Sequence, residues 1–306
     1  MQANRGNLSA VVAGLLAGVG FGIFWMPLRA IGDAGVSAVW STSLILLVPT
    51  FCCLPVIWVN RHHYWPLSRG LLGGAMTGLA LALYSSAFLY TEVIRVVLLF
   101  YLMPIWGFFL GRILLGEAVT WYRWFAVLSG LTGMVIIFSG DGGIPLPSNL
   151  GDWLALISGM AWSAGSIFML LDRPVRPAFH MVQFFGVAAI LCTGVAIGVT
   201  LSGDATWPGI ADLGGILIWL VPLSAFFLLP VGYATVFAPT RLNPGVVGLL
   251  FMFEVAVAAI TAAIWAGEPI SAREWTGLAL VMGAGLIEPL VIIRQFRQQS
   301  RKGASA

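Results

Sequence analysis

The sequence predicts an all-α integral membrane protein: ten transmembrane helices, arranged as two inverted five-helix repeats around a central cavity. Three observations predict this fold class: the composition, ten long apolar segments and an internal duplication. The 306 residues are 59% hydrophobic and 9% charged, with a mean hydropathy of +0.97. Because soluble domains are about one quarter charged, this composition excludes the soluble globular class.

The internal duplication is clearest in two segments, VVLLFYLMPIWGFFLGRILLGE (96–117) and VGLLFMFEVAVAAITAAIWAGE (247–268). At an offset of 151 residues, Leu99 matches Leu250 and Phe100 matches Phe251, and both segments end in Gly-Glu. A second offset, of 145 residues, aligns the starts of the two halves. An internally duplicated sequence is expected to fold as two structurally related units.

Ten apolar segments each have about the 20 residues that cross the hydrocarbon core of a bilayer. In chain order they are 8–28, 36–59, 70–90, 93–115, 121–139, 150–171, 179–201, 213–233, 244–266 and 275–293. The predicted organisation is a first repeat over 1–139, a linker rich in turn residues over 140–149, a second repeat over 150–293 and a basic cytoplasmic tail over 294–306.

The distribution of positive charge predicts the orientation in the membrane. Five is an odd number, so a duplicated five-helix half inserts in the opposite direction, as in many secondary transporters. With the N-terminus in the cytoplasm, only Arg29, Arg95 and Arg273 of the 15 Lys and Arg residues lie outside. The positive-inside rule therefore predicts that both termini are cytoplasmic.

Glycines at four-residue spacing predict where helices approach each other closely, because small residues let backbones come together. Two such ladders occupy the first and third spans, and a shorter one the fourth. They are Gly14, Gly18 and Gly22; Gly70, Gly74 and Gly78; and Gly107 and Gly111. The spacing is equally consistent with static packing and with a surface along which helices slide.

Enzymatic and metal chemistry are not indicated. The three histidines, His62, His63 and His180, lie at or near predicted loops and lack metal-ligand spacing. The three cysteines form neither a metal motif nor a disulfide framework. No basic run is interleaved with aromatic residues, so a nucleic-acid partner is not expected. We predict a protein that is not an enzyme, has no cofactor or metal, and has the bilayer and a small molecule as partners.

A family resemblance rests on the fourth span of each half. The first half contains Met103-Pro104 followed by Gly116-Glu117, and the second contains Glu254-Val255 followed by Gly267-Glu268. This arrangement resembles the EamA repeat of the drug/metabolite transporter superfamily, in which a Glu-Pro element precedes Gly-Glu. Each half here keeps one residue of the Glu-Pro pair.

The resemblance implies a secondary transporter of the bacterial inner membrane that works by alternating access. The aromatic and short polar side chains of the spans are similar to those of YddG-type exporters, which implies export of amino acids, aromatic ones preferred. Efflux of lipophilic or cationic drugs is the alternative among carriers, and a channel or structural membrane protein is the alternative outside them. The exact substrate, the energy coupling and the oligomeric state are left open.

Glu254 is the deepest carboxylate in any predicted span, and an ionisable group at such a position is a functional candidate. A structural hydrogen bond to a neighbouring helix is the competing interpretation. No Lys or Arg lies near the midplane, which favours a neutral or zwitterionic, largely apolar substrate. The candidate cavity residues are aromatic, hydroxyl-bearing or acidic: Tyr84, Ser85, Tyr101, Trp106, Trp162, Ser163, Ser166, Phe227 and Glu254.

Pro104 is the hinge candidate, because a proline inside a span breaks the helix and frees backbone groups. It lies three residues from Tyr101 and therefore on the same helix face. We predict that the fourth and ninth spans cross and form the cavity walls, with a bend at Pro104 that helps to close one side. Glu117 and Glu268 are predicted to be structural residues beside short loops.

Overall fold

A computed structural model of the chain describes residues 2–60, 69–91, 93–116, 118, 120–138, 147–171, 176–266 and 270–304. Within these ranges all regular secondary structure is helical, which confirms the predicted all-α class. Several predictions fall outside the described residues: those for Glu117, Glu268 and most of the linker.

The described residues of the first half form eight α-helices. They are α1 (Gln2–Gly22), α2 (Trp25–Asp33), α3 (Ala38–Cys52), α4 (Leu54–Asn60), α5 (Arg69–Ala87), α6 (Val93–Phe100), α7 (Met103–Leu115) and α8 (Trp121–Phe138). The predicted first, second and fourth spans are each broken into two helices. Pro27, Pro55 and Pro104 lie in the first turn after the three breaks. A proline is tolerated there because the first N–H groups of a helix have no partner within it.

In the second half, seven α-helices lie within the described ranges. They are α9 (Leu150–Leu171), α10 (Pro177–Leu201), α11 (Ile210–Leu223), α12 (Leu229–Phe237), α13 (Pro244–Phe251), α14 (Phe253–Thr261) and α15 (Ala272–Ala304). A π-helical segment, Ser224–Leu228, joins α11 to α12. Helix α15 continues through the predicted tail, where Arg, Gln and Lys favour helix formation.

Eight helical stretches in the described ranges are long and apolar enough to cross a membrane. Two shorter apolar helices, Leu71–Ala87 and Trp121–Ile137, coincide with the predicted third and fifth spans. The multi-pass membrane class is thus confirmed. The count of ten spans and the inversion of the two halves stay predictions.

The main helix contacts join the two halves of the chain. Helix α5 packs on α9 and α10, α8 on α15, and α1 on α12, α13 and α14. The glycines account for the close approach, since a Cβ on Gly165 would lie 2.8 Å from the carbonyl O of Gly73. A Cβ on Gly18 would likewise lie 3.2 Å from the carbonyl O of Leu250. The buried core of the described residues is therefore built largely between the two halves.

The fourth and ninth spans cross in contact, as the sequence predicts. A Cβ on Gly107 of α7 would lie 2.5 Å from the backbone N of Gly245 in α13. A Cβ on Gly248 would lie 2.8 Å from Cγ of Pro104. Two backbones approach this closely only because glycine has no side chain. This crossing positions the candidate site.

Candidate functional site

The helix break in the fourth span separates α6 from α7 at Tyr101 and Leu102. Pro104 has no N–H, so the carbonyl of Phe100, four residues earlier, lacks its usual helical donor. That carbonyl lies against α9, where a Cβ on Gly159 would be 2.7 Å from it. Glycine at 159 thus leaves room for a carbonyl that the break has turned out of the helix.

The ninth span breaks at the equivalent position, between Phe251 and Phe253. No proline lies there. The N–H of Val255, which an unbroken helix would direct to the carbonyl of Phe251, donates to the carbonyl of Met252 at 3.1 Å. The carbonyl of Phe251 is therefore available to a partner on another helix.

Tyr101 joins the two breaks. Its hydroxyl O lies 2.9 Å from the carbonyl O of Phe251 and 2.8 Å from Oε2 of Glu254. The Tyr101 side chain is buried, whereas Glu254 is partly exposed. The tyrosine of one broken helix thus holds the freed carbonyl and the carboxyl group of the other.

A small cavity of about 40 Å³ opens beside this contact. Six of its nine lining residues are aromatic, and the full lining is Phe21, Leu81, Tyr84, Phe100, Trp162, Phe184, Thr235, Phe251 and Glu254. The rings pack on one another, with centroids 4.6 Å apart for Tyr84 and Phe100 and 5.4 Å apart for Trp162 and Phe251. The mostly apolar and aromatic lining is typical of a small-molecule site.

The polar groups of the lining are few. Glu254 supplies the carboxyl group, and the lining residues include no Lys, Arg or His. The hydroxyl of Thr235 donates to the carbonyl of Val231 in its own helix at 2.8 Å. The indole N–H of Trp162 is buried without a hydrogen-bond partner in the described part of the chain. A ligand in this cavity would meet aromatic faces and one carboxyl group.

Of the residues singled out from the sequence, Tyr84, Trp162 and Glu254 line this cavity, and Tyr101 reaches it through Glu254. The hinge candidate, Pro104, lies at the crossing beside it. The structure thus brings together these residues from the third, fourth, sixth and ninth predicted spans.

The other candidates lie apart from the lining. Ser85 lines a second, smaller pocket with Val39 and Cys192. Ser163 donates to the carbonyl of Met103 at 2.9 Å and thereby ties α9 to α7. Ser166 donates to the carbonyl of Trp162 in its own helix.

Two aromatic candidates also lie outside the lining. Trp106 is half-buried in α7, and its indole N–H has no partner among the described residues. Phe227 is half-buried in the π-helical segment between α11 and α12.

Sequence reasoning missed six lining residues: Phe21, Leu81, Phe100, Phe184, Thr235 and Phe251. The repeat contained a signal for two of them. Phe100 and Phe251 match at the offset of 151 residues, and each is the last residue before the break in its span. The other four occupy apolar helices in which nothing in the pattern separates cavity from lipid or core.

A second carboxyl group, that of Asp152, lies at the start of α9 and connects it to α6. It pairs with the guanidinium of Arg95 and accepts hydrogen bonds from the hydroxyl of Thr91 at 2.8 Å and the backbone N–H of Ser148 at 2.9 Å. Asp152 is fully buried, and Arg95 is 27% exposed. This cluster fixes one end of the contact between the halves.

The comparisons with known proteins agree with this architecture. Residues 8–139 match the EamA-like transporter family. This match covers somewhat less than half of the chain and lies within the first predicted repeat. Over these residues the match supports the predicted resemblance to the EamA repeat. No curated protein matches the chain.

A solved structure, described only as a crystal structure of a protein, superposes with a TM-score of 0.72. The match covers 94% of this chain and 98% of the other, at 18% identity. At that identity the likeness shows the fold alone. The likeness to this solved structure therefore covers nearly the whole chain, including residues beyond the 8–139 that match the family.

Proposed function

We propose that the protein is a ten-span carrier of two inverted five-helix halves that exports small metabolites, namely amino acids with aromatic ones preferred, across the bacterial inner membrane. Both termini are cytoplasmic in this proposal. The observation that carries it is the composition of the cavity wall, in which six of nine lining residues are aromatic, at the place where the two broken spans meet. An aromatic side chain is complementary to such a lining, since rings pack favourably edge-to-face and offset.

The charge of the lining narrows the substrate class. Without a basic side chain, the cavity offers nothing to a phosphate or to several negative charges. The carboxyl group of Glu254 and the unpartnered indole N–H of Trp162 offer one acceptor and one donor. An amino acid carries both complementary groups on a small frame, so it satisfies a site of this composition.

Alternating access is supported by where the halves touch. The contacts of α5 with α9 and of α8 with α15 both join the first half to the second. If one half rocks against the other, the two halves slide past each other at these glycine-lined helix contacts. The cavity lies at the crossing, where both halves contribute to its wall, as in carriers built from inverted repeats.

Efflux of aromatic or lipophilic monocations is the second candidate. The observation that favours it is the same carboxyl group, because Glu254 has no cationic partner among the described residues. A ligand with an ammonium group and no carboxylate would fill that role. The two candidates differ in the substrate charge that the cavity takes.

Transport into and out of proteoliposomes tests the proposal, with labelled phenylalanine, leucine and threonine and with phenethylamine as the cation, each with and without a pH gradient. We expect phenylalanine to move faster than threonine. The variant Phe100→Ala, in the cavity wall, should reduce phenylalanine transport at least several-fold. Phe109→Ala is the matched control in the same span, since Phe109 is 59% exposed on the outer surface. Transport of phenethylamine alone would replace amino acids with cations, and transport of none would overturn the proposal.

A further inference from the structure

We propose that Glu254 is a charge-balancing proton site. Its carboxyl group is protonated when the cavity is empty or holds a zwitterion, and it gives up its proton when the cavity takes a monocation. The inference deepens the proposed function, on which it rests for the class of ligand. It also states how one cavity treats the two candidate substrate classes differently.

The hydroxyl group of Tyr101 has one hydrogen but two oxygen neighbours. It lies within hydrogen-bond distance of two oxygens, the carbonyl O of Phe251 and Oε2 of Glu254. A phenol has one proton to donate and lone pairs with which to accept. If Glu254 were ionised, both neighbours would be acceptors, and one of the two short contacts would contain no hydrogen.

A protonated Glu254 satisfies every partner at once. The carboxyl O–H donates to the oxygen of Tyr101, and the hydroxyl of Tyr101 donates to the carbonyl of Phe251. That carbonyl is available because the helix break redirects the N–H of Val255 to Met252. The break therefore terminates a hydrogen-bond chain that begins on Glu254.

Few ionisable side chains surround the carboxyl group of Glu254. Among the described side chains, the ionisable groups beside Glu254 are the phenols of Tyr84, which lines the same cavity, and of Tyr101. From Leu8 to Gly22, helix α1 contains no ionisable residue, and neither does α13. Helix α15, which also packs on α14, carries Arg273 and Glu274 in its exposed first turn, and the side chain of its Glu288 lies outside the described residues.

The guanidinium of Arg95 pairs with Asp152, and no cation among the described residues pairs with Glu254. An ionised carboxylate among aromatic rings without a cation is costly, and taking up a proton removes the cost. The empty cavity is neutral on this count.

The net charge of the cavity stays the same when a ligand binds. A primary ammonium that enters the cavity forms an ion pair with the ionised Glu254, and the proton of the carboxyl group leaves to the aqueous phase. The cavity content stays neutral, with one positive and one negative charge. A zwitterionic amino acid is already neutral, so Glu254 keeps its proton on the Tyr101 side, and its other carboxyl oxygen accepts from the ammonium group of the amino acid. Monocations thus exchange for a proton, and zwitterions do not.

Two measurements on the full-length protein in detergent test the inference. Proton release on binding is followed with a pH-sensitive dye in weak buffer. We expect one proton per bound phenethylamine, none for phenylalanine, and none for either ligand in Glu254→Gln. The affinity for phenethylamine should rise about tenfold per pH unit while one proton is released, and the affinity for phenylalanine should not change.

The matched control is Glu274→Gln, because Glu274 is an exposed carboxylate bonded to Ser271 at the start of α15. This variant should release protons as the wild type does. Phenethylamine that binds without releasing a proton, or phenylalanine that releases one, would overturn the inference and leave the carrier proposal standing.

The second measurement needs no ligand, so the failure of the inference remains distinguishable from failure of the carrier proposal. The infrared spectrum of the empty protein at neutral pH should contain the carbonyl stretch of a protonated carboxylic acid, and Glu254→Gln should remove it. Glu274→Gln should retain it. An identical spectrum for the wild type and Glu254→Gln would refute the protonated state, whichever ligands bind.

Discussion

Asp152 and Glu254 are both carboxyl groups inside the helical bundle, yet their surroundings are opposite. Asp152 has a guanidinium, a hydroxyl and a backbone N–H directed at it. Glu254 has one phenol and a wall of aromatic rings. The first carboxylate is surrounded by donors that hold it ionised and in place, so it is suited to structure. The second has no such partners, so its charge is free to follow the contents of the cavity.

The largest effect on stability is expected at the first carboxylate. Arg95→Met leaves Asp152 buried without its cation and should lower the free energy of unfolding by about 3 kcal/mol. Thermal unfolding in detergent, followed by circular dichroism, measures the loss. Arg29→Met, which removes an exposed arginine, is the control and should be neutral. The double variant Arg95→Met with Asp152→Asn should regain part of the loss. If Arg95→Met were as stable as the control Arg29→Met, the ion pair would have no role in stability.

A smaller effect is expected at the second carboxylate. Tyr101→Phe leaves the carbonyl of Phe251 unpaired and should cost about 1 kcal/mol of unfolding free energy. The same variant should shift the infrared carboxyl band of Glu254, because its O–H loses its acceptor. Tyr90→Phe is the control, since Tyr90 is 50% exposed. A Tyr101→Phe protein with unchanged band and stability would mean that the phenol does not hold Glu254.

The smallest stability effect is expected at Pro104, where the two halves differ in how the break is made. Pro104→Ala restores an N–H that can donate to the carbonyl of Phe100, so the unfolding free energy should change by less than about 1 kcal/mol. Transport of phenylalanine should nevertheless fall several-fold as the span straightens. Pro55→Ala removes an exposed proline after the break in the second span and should transport normally. Unchanged transport by Pro104→Ala at equal protein level would show that the bend is not needed.

Much of the site could be anticipated because the repeat marks its own centre. The paired segments around Phe100 and Phe251 pointed to the crossing, and Glu254 stood out as a carboxyl group deep in an apolar span. The hydroxyl candidates were harder to place. Ser166 satisfies its hydroxyl within its own helix and Ser163 ties two helices together, which are common outcomes for serine in apolar helices.

The sequence by itself determined the all-helical membrane class, the duplication and the position of the deep carboxyl group. Apolar length and the scarcity of charge suffice for these, because a bilayer accepts little else. Only the tertiary structure decided which aromatic rings face the cavity. Lipid, core and an aromatic pocket are all apolar, so the sequence pattern is the same for Phe184, which lines the cavity, and Phe109, which faces outward. The contact of Tyr101 with Glu254 depended on two backbones crossing at Gly107 and Gly245, which the folded chain alone brings together.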